Sequence, residues 1–377
     1  QAGEQNQGNH AVAIGNGALF TQNFTSATDT YNTAVGEAAG NGITTGINNT
    51  LIGGLAGDAL TDADYNTVLG FNALSADTLG SRAVAIGFEA LNDQNFTSAT
   101  DSYNIAIGFN AGCKVTTGVR NTLIGSKTGD AFTDADYNVA LGYNALTSDT
   151  LGSTSTAIGY AALETQNFTS ATDSYNTAVG YNAGTAVTTG TNNTLIGGLA
   201  GDATTTGGDN VAVGYDALGT NTTTSRNTAI GRGALKVQNI GTNSNSYNTA
   251  VGALAGTAVT TGINNTLIGG LAGDAITTGG DNVVVGYTAF GANTTGASNV
   301  ALGAFALDAN TTASNNTAVG TSSLGANTTG AGNTGIGRVA LLANTTGADN
   351  VALGYRALNA NTTASNNTAV GKDALYV

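Results

Sequence analysis

The pentad Asn316-Thr317-Ala318-Val319-Gly320 recurs with small changes along the whole chain, as at Asn32–Gly36, Asn49–Gly53, Asn176–Gly180 and Asn367–Gly371. Counted on its closing glycine, from Gly15 to Gly371, it occurs 21 times, with 16 spacings of 17 residues and four of 21. The longer spacings begin at Gly15, Gly87, Gly159 and Gly231, so a 72-residue block of four copies is itself repeated, and five more 17-residue copies follow from Asn299, the last four of them from Asn316. A unit this short cannot bury an apolar face alone, so it must stack on its neighbours. Seventeen residues are too few for a pair of helices but suit one turn of a narrow solenoid. The expected fold is therefore all-β, a parallel β-solenoid or β-roll of 21 coils. Residues 11–377 form one continuous repeat domain behind a polar lead-in at residues 1–10. With a rise of about 4.8 Å per coil the stack would be a rod of roughly 100 Å.

Within a coil, we number the asparagine of the pentad as position 1 and the glycine as position 5. Position 1 is asparagine in 18 of 21 copies, Ala11, Ala83 and Ser155 being the exceptions. Position 4 is always valine, isoleucine or leucine, and position 2 is threonine or a β-branched aliphatic such as Val84 or Ile105. Alternation along a strand puts positions 2 and 4 on one face. The invariant aliphatic column predicts that this face is the core, with Ile196 and Ile268 almost fully buried. Position 8 is alanine except at Thr128 and Ser323, which predicts a close backbone approach. A Thr-Thr-Gly corner follows, as at Thr44–Gly46 and Thr328–Gly330, where glycine supplies positive φ and the next asparagine can bond its own turn and its counterpart one coil away. The four-residue insertions, as in Gln22–Asp29, would bulge from one corner every fourth coil.

Composition narrows the partners. Charged residues are only 9%, and the net charge of −14 argues against nucleic acid and anionic membrane. There is no apolar run of 18 residues, so no membrane insertion by a helix is expected. The single cysteine, Cys113, excludes an intrachain disulfide framework. A start at Gln1 suggests a processed or excised chain. Uncapped terminal coils suggest end-to-end stacking, with the Leu375-Tyr376-Val377 edge meeting Ala11–Ile14 of another copy.

The chemistry-bearing residues are sparse. His10 lies near one end and Cys113 stands alone, so no nucleophile–base pair can be drawn, and neither an enzyme nor a cofactor is expected. The pairs Asp62/Asp64 and Asp134/Asp136, with the corners Gly208-Asp209 and Gly280-Asp281, raise calcium, but the acids do not recur in every coil and solvated turns explain them as well. No metal site is assigned. Threonine ladders raise ice binding. Adjacent Thr328 and Thr329 would face opposite ways, leaving one outward column where two would be needed. Position 6 is aromatic at Phe71, Phe88, Phe109, Tyr143, Tyr160, Tyr181, Tyr215, Tyr287 and Tyr355. Such a stripe fits lateral packing, or a platform for a glycan or host surface. Of 14 Asn-x-Ser/Thr sequons, Asn23, Asn95, Asn167, Asn293 and Asn327 are candidate glycosylation sites.

The pattern N-[TSV]-A-[VIL]-G-x-x-A resembles the head repeats of trimeric autotransporter adhesins. In its longer form, Asn350 to Leu358 followed by Asn361-Thr362-Thr363, it is also similar to the repetitive shafts of phage tail fibres. The resemblance covers essentially residues 11–377. It implies a left-handed parallel β-roll, a homotrimer, a place on a cell or virion surface or outside the cell, and a binding or spacer role. The expected function is a non-enzymatic extracellular structural or adhesive fibre or filament subunit that self-associates as a homotrimer, an end-to-end filament or both. An ice-binding solenoid and a calcium-stabilised surface coat are the alternatives.

Overall fold

The computed structural model describes residues 8–376. Residues 1–7 of the expected lead-in, and Val377 of the expected end contact, lie outside them. The described residues contain no helix. Every copy of the pentad forms a three-residue strand over positions 2 to 4, ten of them in a unit that runs through Thr191 and eleven in a unit that starts at Asn192. Within each unit the strands stack in parallel and in register, one coil on the next. Thr33 faces Thr50 and Val35 faces Ile52 in the first unit, and Val300 faces Thr317 and Leu302 faces Val319 in the second. The fold is thus a parallel β-solenoid with a 17-residue period, as the repeat predicts.

The expected facing of the strand is reversed. Position 3, not positions 2 and 4, points into the coil: Ala34, Leu51, Val68, Leu123, Leu267 and Val284 are fully buried. Ile196 and Ile268 are 38% and 39% exposed. The reason is the narrow cross-section. Asparagine at position 1 and alanine at position 8 are buried in nearly every coil, so the parity that includes position 1 faces inward, and the aliphatics at position 4 are turned out.

The close approach read from small residues is present, and at position 5 it coincides with a large positive φ. It is +143° at Gly36 and +138° at Gly125, and an added Cβ would stand 2.3 Å from the carbonyl oxygen of Gly53 and 2.4 Å from that of Gly142. Only glycine fits both demands. The two exceptions at position 8 remain buried because each hydroxyl bonds a carbonyl, Thr128 Oγ1 to Gly142 at 2.6 Å and Ser323 Oγ to Gly335 at 2.8 Å.

Positions 7, 9 and 17 all take positive φ, and they are not reserved for glycine. Leu74, Asn72 and Arg82 have φ of 49°, 59° and 60°. Three left-handed residues per coil tighten the chain enough to close in 17. Strain of this kind persists only where surrounding contacts hold it; here backbone bonds reach the next coil on either side, as from Leu74 N to Ala90 O at 2.9 Å.

Two buried polar columns align the coils. At position 1, between insertions, the backbone N–H of an asparagine donates to the side-chain oxygen of the one before: Asn49 N to Asn32 Oδ1, Asn66 N to Asn49 Oδ1, and Asn138 N to Asn121 Oδ1, at 2.9, 2.9 and 3.0 Å. Most Nδ2 groups tie down the corner carbonyl 14 residues on, as Asn49 does to Ala63 O at 2.7 Å, whereas Asn227 donates to Asn210 Oδ1 and Asn316 Nδ2 is buried without a partner. At position 12 the column changes character with position 9. Where position 9 is glycine, position 12 is apolar and reaches into the space left free, as at Ile43, Leu60, Val115 and Phe132, with Thr204 the one exception; where position 9 is leucine, position 12 is polar, as at Asp77, Gln94, Asn310 and Asn327. In the second unit Asn310, Asn327 and Asn344 form another ladder, each Nδ2 donating to the Oδ1 of the preceding residue at 3.0, 3.1 and 2.8 Å.

Candidate functional surfaces

The outward strand face runs the length of each unit. Its position 2 column is threonine or a β-branched aliphatic and its position 4 column is aliphatic throughout, with no charge at either position in any coil. Leu69, Leu141 and Leu353 are 45%, 45% and 44% exposed. Threonines 33, 50 and 67 lie on this face beside Val35, Ile52 and Leu69.

The aromatic stripe at position 6 borders it and resolves into stacks. Phe71, Phe88 and Phe109 lie face to face at centroid separations of 5.9 and 5.3 Å, and Tyr143, Tyr160 and Tyr181 at 5.6 and 5.3 Å. Ser126 occupies the coil between the two triplets. Stacking turns the ring edges outward and covers the faces of Phe88 and Tyr160 on both sides. A sugar ring that packs on an aromatic face therefore has no free face at those two. In the second unit Tyr287 meets Phe305 edge to face, Tyr215 is exposed, and Tyr355 lies under the guanidinium groups of Arg338 and Arg356.

A second aromatic column, at position 17, escaped the sequence reading. Tyr65, Arg82, Tyr103, Arg120 and Tyr137 alternate up successive coils, each guanidinium lying 5.0 to 6.0 Å from the rings beside it. The detectable signal was a tyrosine directly before the position 1 asparagine, five times in the first unit. Arg82 also pairs with Asp101 at 2.9 Å, and Arg120 donates to the Tyr137 hydroxyl at 2.7 Å.

The acidic pairs lie apart from one another and bind their own solenoid. Thr45 Oγ1 donates to Asp62 and Ile47 N to Asp64, at 2.6 and 2.7 Å, and Thr117 and Val119 repeat this with Asp134 and Asp136 at 2.7 Å each. Asp209 faces Arg226, and Asp281 accepts from Asn264 Nδ2 at 3.0 Å. Among the described residues no three acids, histidines or cysteines gather where a metal could be held. His10 stacks on Tyr31 and meets Asp29 through Nδ1 at 3.1 Å. Burial pushes the Cys113 thiol up to about 11, which keeps it from the reactive thiolate form near neutrality.

The sequons divide by environment. Asn23, Asn95 and Asn167 are exposed on the insertion corners, with exposed Thr25, Thr97 and Thr169 beyond them. Asn293 and Asn327 are fully buried and bonded within their own turns, Nδ2 of each donating to the glycine carbonyl three residues on. A glycan on either of those two would remove a buried donor and has no room.

The threonine corner also divides. Position 13 hydroxyls donate to the carbonyl of the next coil, as Thr61 does to Thr78 and Thr277 to Thr294 at 3.0 Å each. Position 14 threonines, such as Thr329, are exposed. No helix among the described residues is long and apolar enough to cross a membrane. No protein-family model matches the chain, and neither any curated protein nor any solved structure matches it.

Proposed function

We propose that the chain is a structural segment of an extracellular fibre or filament, which associates side by side with copies of itself and presents its corners for contact. One observation carries this reading: the outward strand face is uncharged over every coil, with an unbroken aliphatic column at position 4 beside threonine or a β-branched aliphatic at position 2. A stack of ten coils makes such a face roughly 45 Å long, and soluble monomers seldom leave a contiguous apolar surface beyond a few hundred Å² in water. The occupant that matches its spacing is a second copy, whose own columns repeat at the same rise. A homotrimer closes such an arrangement without leaving a face bare. The resemblance to adhesin heads and tail-fibre shafts supports the same reading and motivates a surface location.

Sedimentation of the full chain tests it. The wild type should run as an oligomer, and Ile124→Lys with Leu141→Lys should run at 36.9 kDa with an unchanged β-type circular dichroism spectrum. A wild type that is monomeric at all concentrations rejects lateral association. Ice binding remains a second reading because threonine at position 2 points outward next to an aliphatic. The face offers one threonine column beside an aliphatic one, not the two threonine columns of a T-x-T face. A measurement of thermal hysteresis with no effect above buffer removes it.

A further inference from the structure

The aromatic column at position 6 is interrupted at a fixed place. In the third coil of each 72-residue block the residue there is small: Gly54, Ser126, Gly198 and Gly270. At Ser126 the interruption falls between the two ring triplets of the first unit. Ile107 faces Ile124 and Ile124 faces Leu141 across the strands, so Phe109, Ser126 and Tyr143, each two residues further on, follow one another up the column. Backbone bonds on both sides of position 6 hold the three coils at the common rise: Gly125 N to Ile107 O and Gly142 N to Ile124 O at 2.8 Å each, then Lys127 N to Phe109 O at 2.9 Å and Asn144 N to Ser126 O at 3.3 Å.

The gap over Ser126 is therefore one ring thick. Rings one coil apart in this column stand 5.3 to 5.9 Å from centre to centre, and Phe109 and Tyr143 are two such steps apart. Phe88 covers one face of Phe109 and Tyr160 covers one face of Tyr143. Their other faces look at each other across the gap, and the two rings are 49% and 46% exposed. Ser126 is the floor, and Lys127, which follows it, is exposed at the mouth. The other small residues do not make this arrangement within one unit. Gly54 and Gly270 have a ring on one side only, Phe71 and Tyr287, with Glu37 and Ala253 on the other.

We propose that the gap over Ser126 is a binding slot for one β-linked glucopyranose unit of a neutral glycan, stacked between the free faces of Phe109 and Tyr143. An aromatic face is the negative end of the ring quadrupole, so it is met well by the polarised C–H bonds of a sugar. Two walls impose a stricter demand than one, because C–H bonds must point out of both faces of the pyranose. The β-gluco ring meets it, since all its substituents are equatorial and every axial position is a hydrogen. An axial hydroxyl, as in mannose, would press a polar group against one wall and lose its water without a partner. The equatorial hydroxyls leave the slot edgewise, toward solvent on one side and toward Ser126 and Lys127 on the other. The slot does not rest on the side-by-side reading, since position 6 borders the outward strand face and a sugar titration reads binding and not oligomeric state.

Proton NMR of cellohexaose titrated with the full chain tests the slot. A pyranose held between two aromatic faces has its axial ring protons shifted upfield by both ring currents, so a saturable upfield shift is expected, with β-1,4-mannohexaose binding severalfold more weakly. Ser126→Tyr fills the gap with the residue the column carries on either side, so it is expected to fold, and it should lower the affinity for cellohexaose severalfold. Tyr143→Ala removes one exposed wall and should do the same by a different route, with the β-type circular dichroism spectrum of both variants unchanged. The absence of a saturable shift, equal affinity for the two hexasaccharides, or full binding by either variant overturns the proposal. Displacement of cellohexaose by a lower concentration of N-acetyltyrosinamide also overturns it, and assigns the slot to an aromatic side chain of another chain.

Discussion

At the scale of single residues, polar side chains do more to align this fold than the branched aliphatics that dominate its motif. Asn121 is fully buried; its Oδ1 accepts from Asn138 N at 3.0 Å and its Nδ2 donates to Ala135 O at 2.7 Å. Alanine there leaves both partners buried and unbonded, at a cost of about 1–3 kcal/mol for each. Ile268 stands on the outer face, where a substitution away from special features changes stability by about 0.5 kcal/mol or less. Asn121→Ala should therefore lower the denaturation midpoint well below that of Ile268→Lys, as read by chemical denaturation at a concentration where both proteins share one oligomeric state. Equal midpoints would mean that the asparagine ladder is incidental.

At the scale of one coil, core volume is conserved by exchange between neighbouring positions. Leu123 fills the space between Gly112 and Gly129: a Cβ on the first would lie 2.7 Å from Leu123 Cδ1 and one on the second 3.0 Å from Cδ2. Gly112→Leu should thus overpack, typically by about 1–3 kcal/mol. The barrier is volume and not backbone, since Leu91 at the same position adopts φ of 51°. Adding Val115→Asn and Leu123→Ala reproduces the set Leu307, Asn310 and Ala318 found elsewhere in the chain. That triple variant should recover most of the loss, a coupling that a double-mutant cycle measures directly. These exchanges explain what could be read in the sequence. The period, the strand at positions 2 to 4 and the glycine at position 5 are legible because geometry allows few residues there. Facing was misread because valine and isoleucine at position 4 look like core, whereas the inward residue of the strand is position 3, often only alanine, and much of the remaining core comes from positions 9 and 12. The burial of Asp77 was hidden because its partners Gln94 and Phe96 N, in the next coil, come to it only through the stacking of coils.

For the molecule as a whole, the titration of its acids runs opposite to the usual case. Nine aspartates of the described residues, among them Asp58, Asp130, Asp202 and Asp274, are shifted upward with burial as the largest cause. An acid whose folded value lies above its unfolded one binds its proton more tightly when folded. Its contribution to stability is then greatest in acid and falls as the pH rises from about 4 through the folded value. The net charge of −14 adds self-repulsion in the same direction. The melting temperature should accordingly be higher near pH 5 than near pH 7; a fall on acidification would show that the surface ion pairs outweigh buried acids.

The coil-to-coil ladder also sets how the protein bears force. Its hydrogen bonds point along the stacking direction, so tension along that direction within either unit loads them one coil at a time and not all together. Each coil that peels away frees 17 residues, roughly 60 Å of slack, before the next one is strained. Such a material yields early, lengthens greatly and reseals coil by coil when the load is removed, because each strand meets its template again in the same register. Along its stacking direction each unit is built to behave as a damper rather than as a stiff strut.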